Sequence, residues 1–495
     1  MRRLIIIISV SIVLGCSGCK KFLEEEPTGF IDASKYYTSA AQIEAAVAGC
    51  YTGLSRLHVN RIGISVSPMY AVEYMTGYST RPYAPNSDDI QFLQLIKLDP
   101  ANQHLADWWN ATFYPLENCN SVISNLSKSD VVDEQLKKKF LGEAYFLRAW
   151  YYFQAVQLFG SIPLKTTPTL DVSDTHVSKS PVEDIYKQIV NDLNFAEACG
   201  LPWTDKRGHV TQGAVKALLV RVYMALAGYP LQKREYYSKA YDKAVELIAS
   251  HEFSLFPSYS DLRRQSKQNT GENIFMLQRD PVNAPNLLHF SLMPYPNLPI
   301  SIKPTSGGGL GTTREFYNSF NASDIRKSER VFFYSSYPQY GNPSSIINFN
   351  TPSIFKYWDS TAELTNRAGL NISLIRYADV LLLCAEAKAQ VDGGSTTDPT
   401  AIQAWHLVRN RAFPGTALPA SINLDQVLKE RYWELCFEFQ TWYDMLRTRK
   451  AFDVSADKIV DLIGYKAPNH LIPFTEANLL FPIPLTEVQK NPNLK

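Results

Sequence analysis

Cysteine is sparse and unpaired in this 495-residue chain: of seven, two lie near the N-terminus, and Cys50, Cys119, Cys199, Cys384 and Cys436 stand far apart with no C-x-x-C spacing. An odd count at such separations argues against a disulfide framework. Cys50 follows Ala48-Gly49 and Cys384 sits in Leu382-Leu383-Cys384-Ala385, apolar contexts where a thiol packs as a small hydrophobe, and all five are read as structural. Charge of one sign is also missing. Lys and Arg number 49 against 48 Asp and Glu, with no basic block of six or more, so nothing gathers a polyanion and nucleic-acid binding has no electrostatic footing. Gly (24) and Pro (29) make up about a tenth of the chain, far below the ~25–30% of low-complexity sequences. The eight histidines are scattered with no pair four apart, so no helical zinc site is expected. No nucleophile elbow occurs, since Gly63-Ile64-Ser65-Val66-Ser67 has Ser where the second Gly belongs. The glycine cluster Gly307-Gly308-Gly309-Leu310-Gly311-Thr312 lacks both the last Gly of a dinucleotide fingerprint and the Lys of a P-loop, and reads as a mobile loop. No metal, cofactor or catalytic constellation is expected.

Long apolar runs are limited to one. Met1-Arg2-Arg3 precedes an 11-residue apolar stretch, Leu4 to Leu14, too short to span a bilayer core that needs about 20 helical residues. It reads as an export signal. The following Gly15-Cys16-Ser17-Gly18-Cys19 resembles the lipobox of a bacterial lipoprotein, in which the thiol carries the lipid. Cys16 and Cys19 compete, and Cys19, with small residues at both positions before it, is favoured. Residues 1–18 are then the signal peptide, residues 19–30 a charged tether, and the mature protein is anchored to a membrane without spanning it.

What is abundant is aromatic and helical. Tyr (28) outnumbers Phe (25), a surplus suited to packed helices and to wet binding surfaces alike. Apolar spacing predicts helices over residues 40–57, 104–127, 134–159, 181–198, 211–226, 236–250, 376–391 and 399–412, and one long final helix over 424–450. In 134–159 the residues Phe140, Ala144, Leu147, Tyr151, Ala155 and Leu158 fall on one face, and Gly160 stops the helix. Ser180 with Pro181 opens the next block as cap and first helical residue. Small and aromatic residues alternate along successive helix pairs, as in tetratricopeptide-type arrays. The expected class is therefore mainly α, a tetratricopeptide-like array of helical pairs with an N-terminal part (31–252), a loop-rich insertion (253–375) and a C-terminal part (376–495). Glu430, Glu434 and Glu438 recur every four residues and read as charge pairs with Arg431, Arg447 and Arg449 on a partly solvated helix.

Several segments, in order, resemble the SusD/RagB family of surface lipoproteins. They are Cys19-Lys20-Lys21-Phe22-Leu23 with Pro27, then Trp109, Tyr114 and Asn120, and Gly142-Glu143-Ala144-Tyr145-Phe146-Leu147-Arg148-Ala149 with Phe159-Gly160 and Pro163-Leu164. Gly208-His209-Val210-Thr211-Gln212-Gly213-Ala214, Arg376-Tyr377-Ala378-Asp379, Val408-Arg409-Asn410-Arg411 and Glu430-Arg431 through Trp442, Asp444 and Arg447 follow, and the chain closes on Pro482-Ile483-Pro484. Gln440-Thr441 and Val215 depart from the family pattern without touching the fold. The charged signature residues read as scaffold, with Glu143 paired to Arg148 and Arg376 to Asp379, because a charge in an aromatic core needs a partner.

The resemblance implies a non-enzymatic protein at the outer-membrane surface, lipid-anchored, that binds a nutrient and hands it to a SusC-like TonB-dependent transporter. A glycan is the leading ligand and a peptide the alternative; a surface hydrolase or a purely structural transporter subunit ranks below both. Sugars offer apolar faces and hydroxyl rims, so a site needs exposed aromatic platforms beside polar groups. Two Tyr-rich, non-periodic stretches qualify, residues 75–88 and 290–345, and the expected ligand-binding residues are Tyr78, Arg81, Tyr83, Tyr295, Tyr337 and Tyr340.

Overall fold

The computed structural model describes residues 37–58, 68–83, 85–296, 298–301, 307–365 and 367–495. The signal peptide, the tether and both Cys16 and Cys19 lie outside the described residues. Helices α1 (Ala40–Cys50), α2 (Thr52–Arg56) and α3 (Tyr70–Tyr74) lead into a two-residue strand, β1 (Ser79–Thr80). The helical pairs then follow: α4 (Gln103–Leu126), α5 (Glu134–Phe159), α6 (Val182–Ala198), α7 (Gln212–Ala227) and α8 (Tyr236–Ala249). Local chemistry sets their ends. The Asp133 carboxylate accepts the Leu136 N–H at 2.8 Å to cap α5, and the Thr211 hydroxyl accepts the Ala214 N–H at 3.1 Å to cap α7. Gly160, at φ 69°, ends α5 in a conformation open to glycine without steric cost. Pro181 occupies the cap position of α6 itself, so that helix starts one residue later than its sequence suggests.

Each of α4 to α7 packs against its successor, the stacking of a helical-repeat array. Spacing alone gave α5 one buried face. The structure buries Phe146, Trp150, Tyr152 and Phe153 as well, because α4 and α6 flank the helix on two sides.

The insertion carries β2 (Asn273–Leu277), β3 (Gly311–Thr312), a short helix α9 (Arg314–Ser319) and the hairpin β4 (Phe333–Gln339) and β5 (Asn342–Ile354), and closes on β6 (Ile372–Arg376). It is thus not merely loop. β2 and β6 pair antiparallel, with Asn273 opposite Arg376, so the insertion leaves and rejoins the array at one place. Helix α10 (Tyr377–Val391) then packs directly on α8 and on α11 (Pro399–Ala412), continuing the array past the insertion. Beneath the hairpin, Phe290, Met293, Ile300, Tyr334, Phe355 and Trp358 form a core separate from the main one.

The expected single helix over 424–450 is two, α12 (Leu424–Glu434) and α13 (Thr441–Thr448). Phe437 and Phe439, at φ 59° and 61°, turn the chain between them. Tertiary partners hold this break: the Glu73 carboxylate accepts the Phe439 N–H at 2.6 Å, the Tyr357 hydroxyl donates to the Phe437 carbonyl at 2.9 Å, and Lys356 Nζ donates to the carbonyls of Glu434 and Cys436 at 2.9 Å. Polar groups freed by the lost helical ladder are therefore satisfied from elsewhere in the chain.

The charged signature residues are buried, as a scaffold role requires, but with other partners than their sequence neighbours. Arg148 forks onto both oxygens of Asp192 (2.9 and 2.7 Å) and donates to the Asn120 side chain and the Thr166 carbonyl, both at 3.0 Å. Glu143 faces the Tyr51 hydroxyl at 2.6 Å and His209 Nδ1 at 3.1 Å. Asp379 pairs with Arg221 and Arg431, and Arg376 with Glu272, Glu434 and Glu438. Nor are Glu430, Glu434 and Glu438 a solvated stripe: Glu430 meets Arg326 and Arg409, and Glu434 meets Arg326, Arg376 and Arg411. An i, i+4 rule cannot see these partners, which arrive from other segments.

All five distant cysteines are free thiols, and burial pushes those of Cys199 and Cys436 up to about 11 and about 12. No helix among the described residues is long and apolar enough to cross a membrane.

Candidate functional site

The two Tyr-rich stretches meet through the glycine cluster. β1 pairs with β3, Ser79 opposite Thr312 and Thr80 opposite Gly311. Gly308 and Gly309 donate to the carbonyls of Met293 (2.8 Å) and Ser291 (2.7 Å), Tyr83 donates its N–H to the Gly308 carbonyl at 2.9 Å, and the Tyr74 hydroxyl donates to the Gly309 carbonyl. Residues 307–312 are buried throughout. The expected mobile loop is a packed seam, because three near-consecutive glycines let backbones from both stretches approach each other.

Beside this seam opens a cavity of about 560 Å³, in the size range of small-ligand sites. Tyr295 stands at its wall with Pro82, Pro294, Pro296, Pro352 and Phe349, while Thr80, Thr312, Thr313, Asn348, Thr351 and Asn469 supply hydroxyls and amides. Arg314 and Glu315 at the start of α9 give it one charge of each sign. Asn469 comes from a C-terminal loop pinned to β1 by its amide, which donates to the Ser79 carbonyl at 3.2 Å. Tyr83 and Tyr295 are 46% and 44% exposed and form an edge-to-face pair with ring centroids 5.2 Å apart at 86°. They are neighbours in space from opposite ends of the expected site.

The other expected residues divide. Tyr78 is 2% exposed, packed against Phe316 and Tyr432, and its hydroxyl donates to the Phe452 carbonyl at 2.9 Å; burial pushes the phenol well above its ordinary range. It is a core residue, not a platform. Arg81 is buried against Asp89, which also bonds His104 Nε2 at 2.9 Å, so its charge is already answered; its guanidinium lies 5.6 Å from the Tyr83 ring centroid and supports that ring. Tyr337 is half-buried in the hairpin core, 4.4 Å from Trp358, with its hydroxyl on Glu363. Tyr340 is exposed at the hairpin turn and its N–H bonds the Pro299 carbonyl at 2.7 Å, outside the cavity wall. Spacing could not separate these roles, since a tyrosine in a non-periodic stretch reads the same whether buried or not. Pro352 and Asn469 lie outside both expected stretches; the sequence marks Thr312 only as the end of the glycine cluster, and Thr313 not at all.

Glu73 underpins the seam. Its carbonyl accepts the Thr76 and Ser79 hydroxyls at 2.6 and 2.7 Å, fixing the turn from α3 into β1. Its carboxyl is buried, and burial, reinforced by nearby Glu438 and opposed by the Phe439 N–H and Lys356, raises it from 4.5 to about 7. A raised carboxyl favours the folded state below its ordinary value and loses that contribution as pH rises through about 7. Glu73→Gln, which mimics the protonated acid, should match the wild type at pH 4 and exceed it by about 3 kcal/mol at pH 8. Urea titrations at both pH values check this; equal gaps at the two would place the carboxyl in solvent.

A second cavity of about 380 Å³, lined by α1, α2, β2 and His209, has a mainly apolar wall, and its ring pair, Tyr51 and His209, is half-buried. The first combines an exposed ring pair with hydroxyls and amides.

Residues 305–495 match the profile of the SusD family, and residues 21–224 match one described as "Starch-binding associating with outer membrane". A SusD-like protein of Bacteroides ovatus is 25% identical over 90% of this chain and 82% of its own, and SusD-like protein P25 of Formosa agariphila is 23% identical over 99% and 97%. Among solved structures, surface glycan-binding protein A of Bacteroides thetaiotaomicron in complex with laminarihexaose shares the fold (TM-score 0.73, 19% identity, 92% of this chain and 99% of that one). A SusD superfamily protein of Parabacteroides distasonis superposes with TM-score 0.85 at 34% identity, covering 92% of this chain and 98% of its own. With helical array, insertion and profile matches in agreement, the chain belongs to the SusD family.

Proposed function

We propose that this protein captures an oligosaccharide at the outer-membrane surface, in the cavity beside the Tyr83–Tyr295 pair, and passes it to a TonB-dependent transporter while a lipid on Cys19 holds it to the membrane. The observation that carries the reading is the pairing of two exposed rings with a cavity rimmed by threonine and asparagine side chains. Rings stack on apolar sugar faces, and hydroxyls and amides answer the sugar's hydroxyl edge. The fold is shared with a protein crystallised with laminarihexaose, which supports a glycan over a peptide. The reading involves capture and no bond cleavage.

Calorimetric titration against a panel of neutral and acidic glycans tests it. Tyr295→Ala should lose about 1–3 kcal/mol of binding, by analogy with stacking on bases, with little change in melting temperature. Full affinity in both Tyr295→Ala and Tyr83→Ala would remove the ligand from this cavity. Mass spectrometry of the mature N-terminus should find an acylated chain beginning at Cys19; one beginning at Cys16 moves the anchor, and an unacylated chain removes it.

A further inference from the structure

Two thiols face each other in the core. Cys50, the last residue of α1, and Cys119, on α4, are both fully buried, and their side chains are hydrogen-bonding neighbours. Cys50 Sγ also donates to the Ala46 carbonyl at 3.6 Å. The backbones around the pair run close together. Gly49 offers its carbonyl to Asn118 Nδ2 at 3.1 Å, and a Cβ at Gly53 would lie 2.4 Å from Pro115 Cγ and 2.7 Å from the Tyr151 ring, so no side chain fits at 53. Residues 49, 50 and 53 thus meet residues 115, 118 and 119 across one interface. Tyr151 of α5 closes it, its hydroxyl donating to the Cys50 carbonyl at 2.6 Å.

A disulfide needs Cα atoms within about 7 Å and sulfurs about 2.05 Å apart. Helices brought together at glycines, with the two thiols already neighbours, form the arrangement that a rotation of the side chains can close. Cys199 and Cys436 stand elsewhere, against Gly142 and the Trp433 carbonyl.

We infer that Cys50 and Cys119 form a disulfide when this chain folds in an oxidising compartment, tying α1 to α4. The compartment is the one the export reading above supplies, and to that extent the inference rests on it. The oxidant is the disulfide of an exported thiol–disulfide oxidoreductase. The Cys50 thiolate attacks one sulfur of that disulfide, giving a mixed disulfide and releasing the other sulfur as a thiolate. The Cys119 thiolate then attacks Cys50 Sγ, the new S–S bond forms, and the second oxidoreductase sulfur leaves. This chain gives up two protons and two electrons, and the oxidoreductase disulfide is reduced to two thiols. Attack requires a thiolate with access to its target. In the packed protein both sulfurs are sealed from solvent, and burial raises the Cys119 thiol. Exchange therefore belongs to folding, before α1 docks on α4, and the same burial afterwards shields the bond from reductants. A lipid on Cys19 would pull on the chain ahead of α1, and the bridge would carry that load into the array.

The test unfolds and reduces the full chain, refolds it by dilution into oxidised and reduced glutathione, then denatures and alkylates it without reductant. Of the five cysteines beyond the leader, Cys199, Cys384 and Cys436 should carry the label, and peptides joined through Cys50 and Cys119 should appear in the mass spectrum. The melting midpoint should exceed that of the chain refolded with reductant by about 2–5 °C. Cys50→Ser should leave Cys119 labelled, whereas Cys199→Ser should leave the bridge in place. Should Cys50→Ser fail to fold, Cys119→Ala, with Cys50 labelled, gives the same readout. Labelling of all five cysteines, or Cys50 joined to a thiol other than Cys119, overturns the inference. The same labelling of protein taken from the membranes of its own cells separates this inference from the export reading. An acylated chain with free Cys50 and Cys119 overturns the inference alone, whereas an unacylated chain that bridges only on refolding overturns the reading of export and supports the pair.

Discussion

Replacing Glu434 by alanine should destabilise the protein by about 3–5 kcal/mol, the cost of leaving a buried charge without its partner. Glu434 is fully buried and meets three guanidiniums: Arg376 at 3.1 Å, Arg411 at 2.8 Å and Arg326 at 3.2 Å. Around it lies a balanced cluster, with Asp324, Glu272, Glu430 and Glu438 as the other acids and Arg409 and Lys356 as further bases. Five negative charges thus face five positive ones, and removal of one acid leaves a net cation in the core. The cluster ties the insertion (Asp324, Arg326, Lys356), β2 (its neighbour Glu272), β6 (Arg376), α11 (Arg409, Arg411) and α12 into one body. Its pH dependence has a definite sign. The surrounding arginines, led by Arg411, overcome burial and hold the Glu434 carboxyl down from 4.5 to about 2, and Asp379 is likewise held near 2 by Arg221 and Arg431. A depressed carboxyl contributes its stability above its ordinary value and loses it as pH falls through the folded one. Wild-type stability should therefore drop between about pH 4.5 and 2, and Glu434→Gln should flatten part of that drop. Chemical denaturation of both proteins across that window is the check. A loss at pH 7 below about 1 kcal/mol would show that the cluster is solvated rather than buried.

Arg148→Ala should cost a similar amount, about 3–5 kcal/mol, and should spare the ligand site. Arg148 joins three successive helices of the array: it lies on α5, forks onto Asp192 of α6 and donates to Asn120 of α4. Its removal strands Asp192, which is 1% exposed and keeps only the Gln188 amide at 2.7 Å as a neutral donor. Thermal midpoint and glycan affinity measured in one preparation separate the two roles. A lowered midpoint with retained affinity is expected. Unchanged melting with lost binding would make Arg148 a ligand contact and overturn the scaffold assignment.

The comparison of sequence and structure turns on how local each signal was. Helices α4 to α8, α10 and α11 were legible because their signals, a repeated apolar period, caps such as Asp133 and Thr211, and a terminating Gly160, act within a few residues of one another. The break between α12 and α13 was not, because nothing inside 424–450 contradicts a helix. The contacts that stop it come from Glu73, Lys356 and Tyr357, far away in the chain. The ion pairs failed in the same way: Arg148 and Arg376 were recognisable as charges needing buried partners, but Asp192 and Glu272 are remote acids with no local mark.

Of the candidate site, the sequence by itself determined that two tyrosine-rich stretches interrupt a helical array, since composition and loss of period are properties of the chain. Only the tertiary structure decided which tyrosines face outward. Pairing of β1 with β3 turns Tyr78 into the core and brings Tyr83 against Tyr295, while the hairpin draws Tyr337 into a core of its own. Exposure is a relation between surfaces that meet on folding, and a residue carries no local record of which surface will cover it.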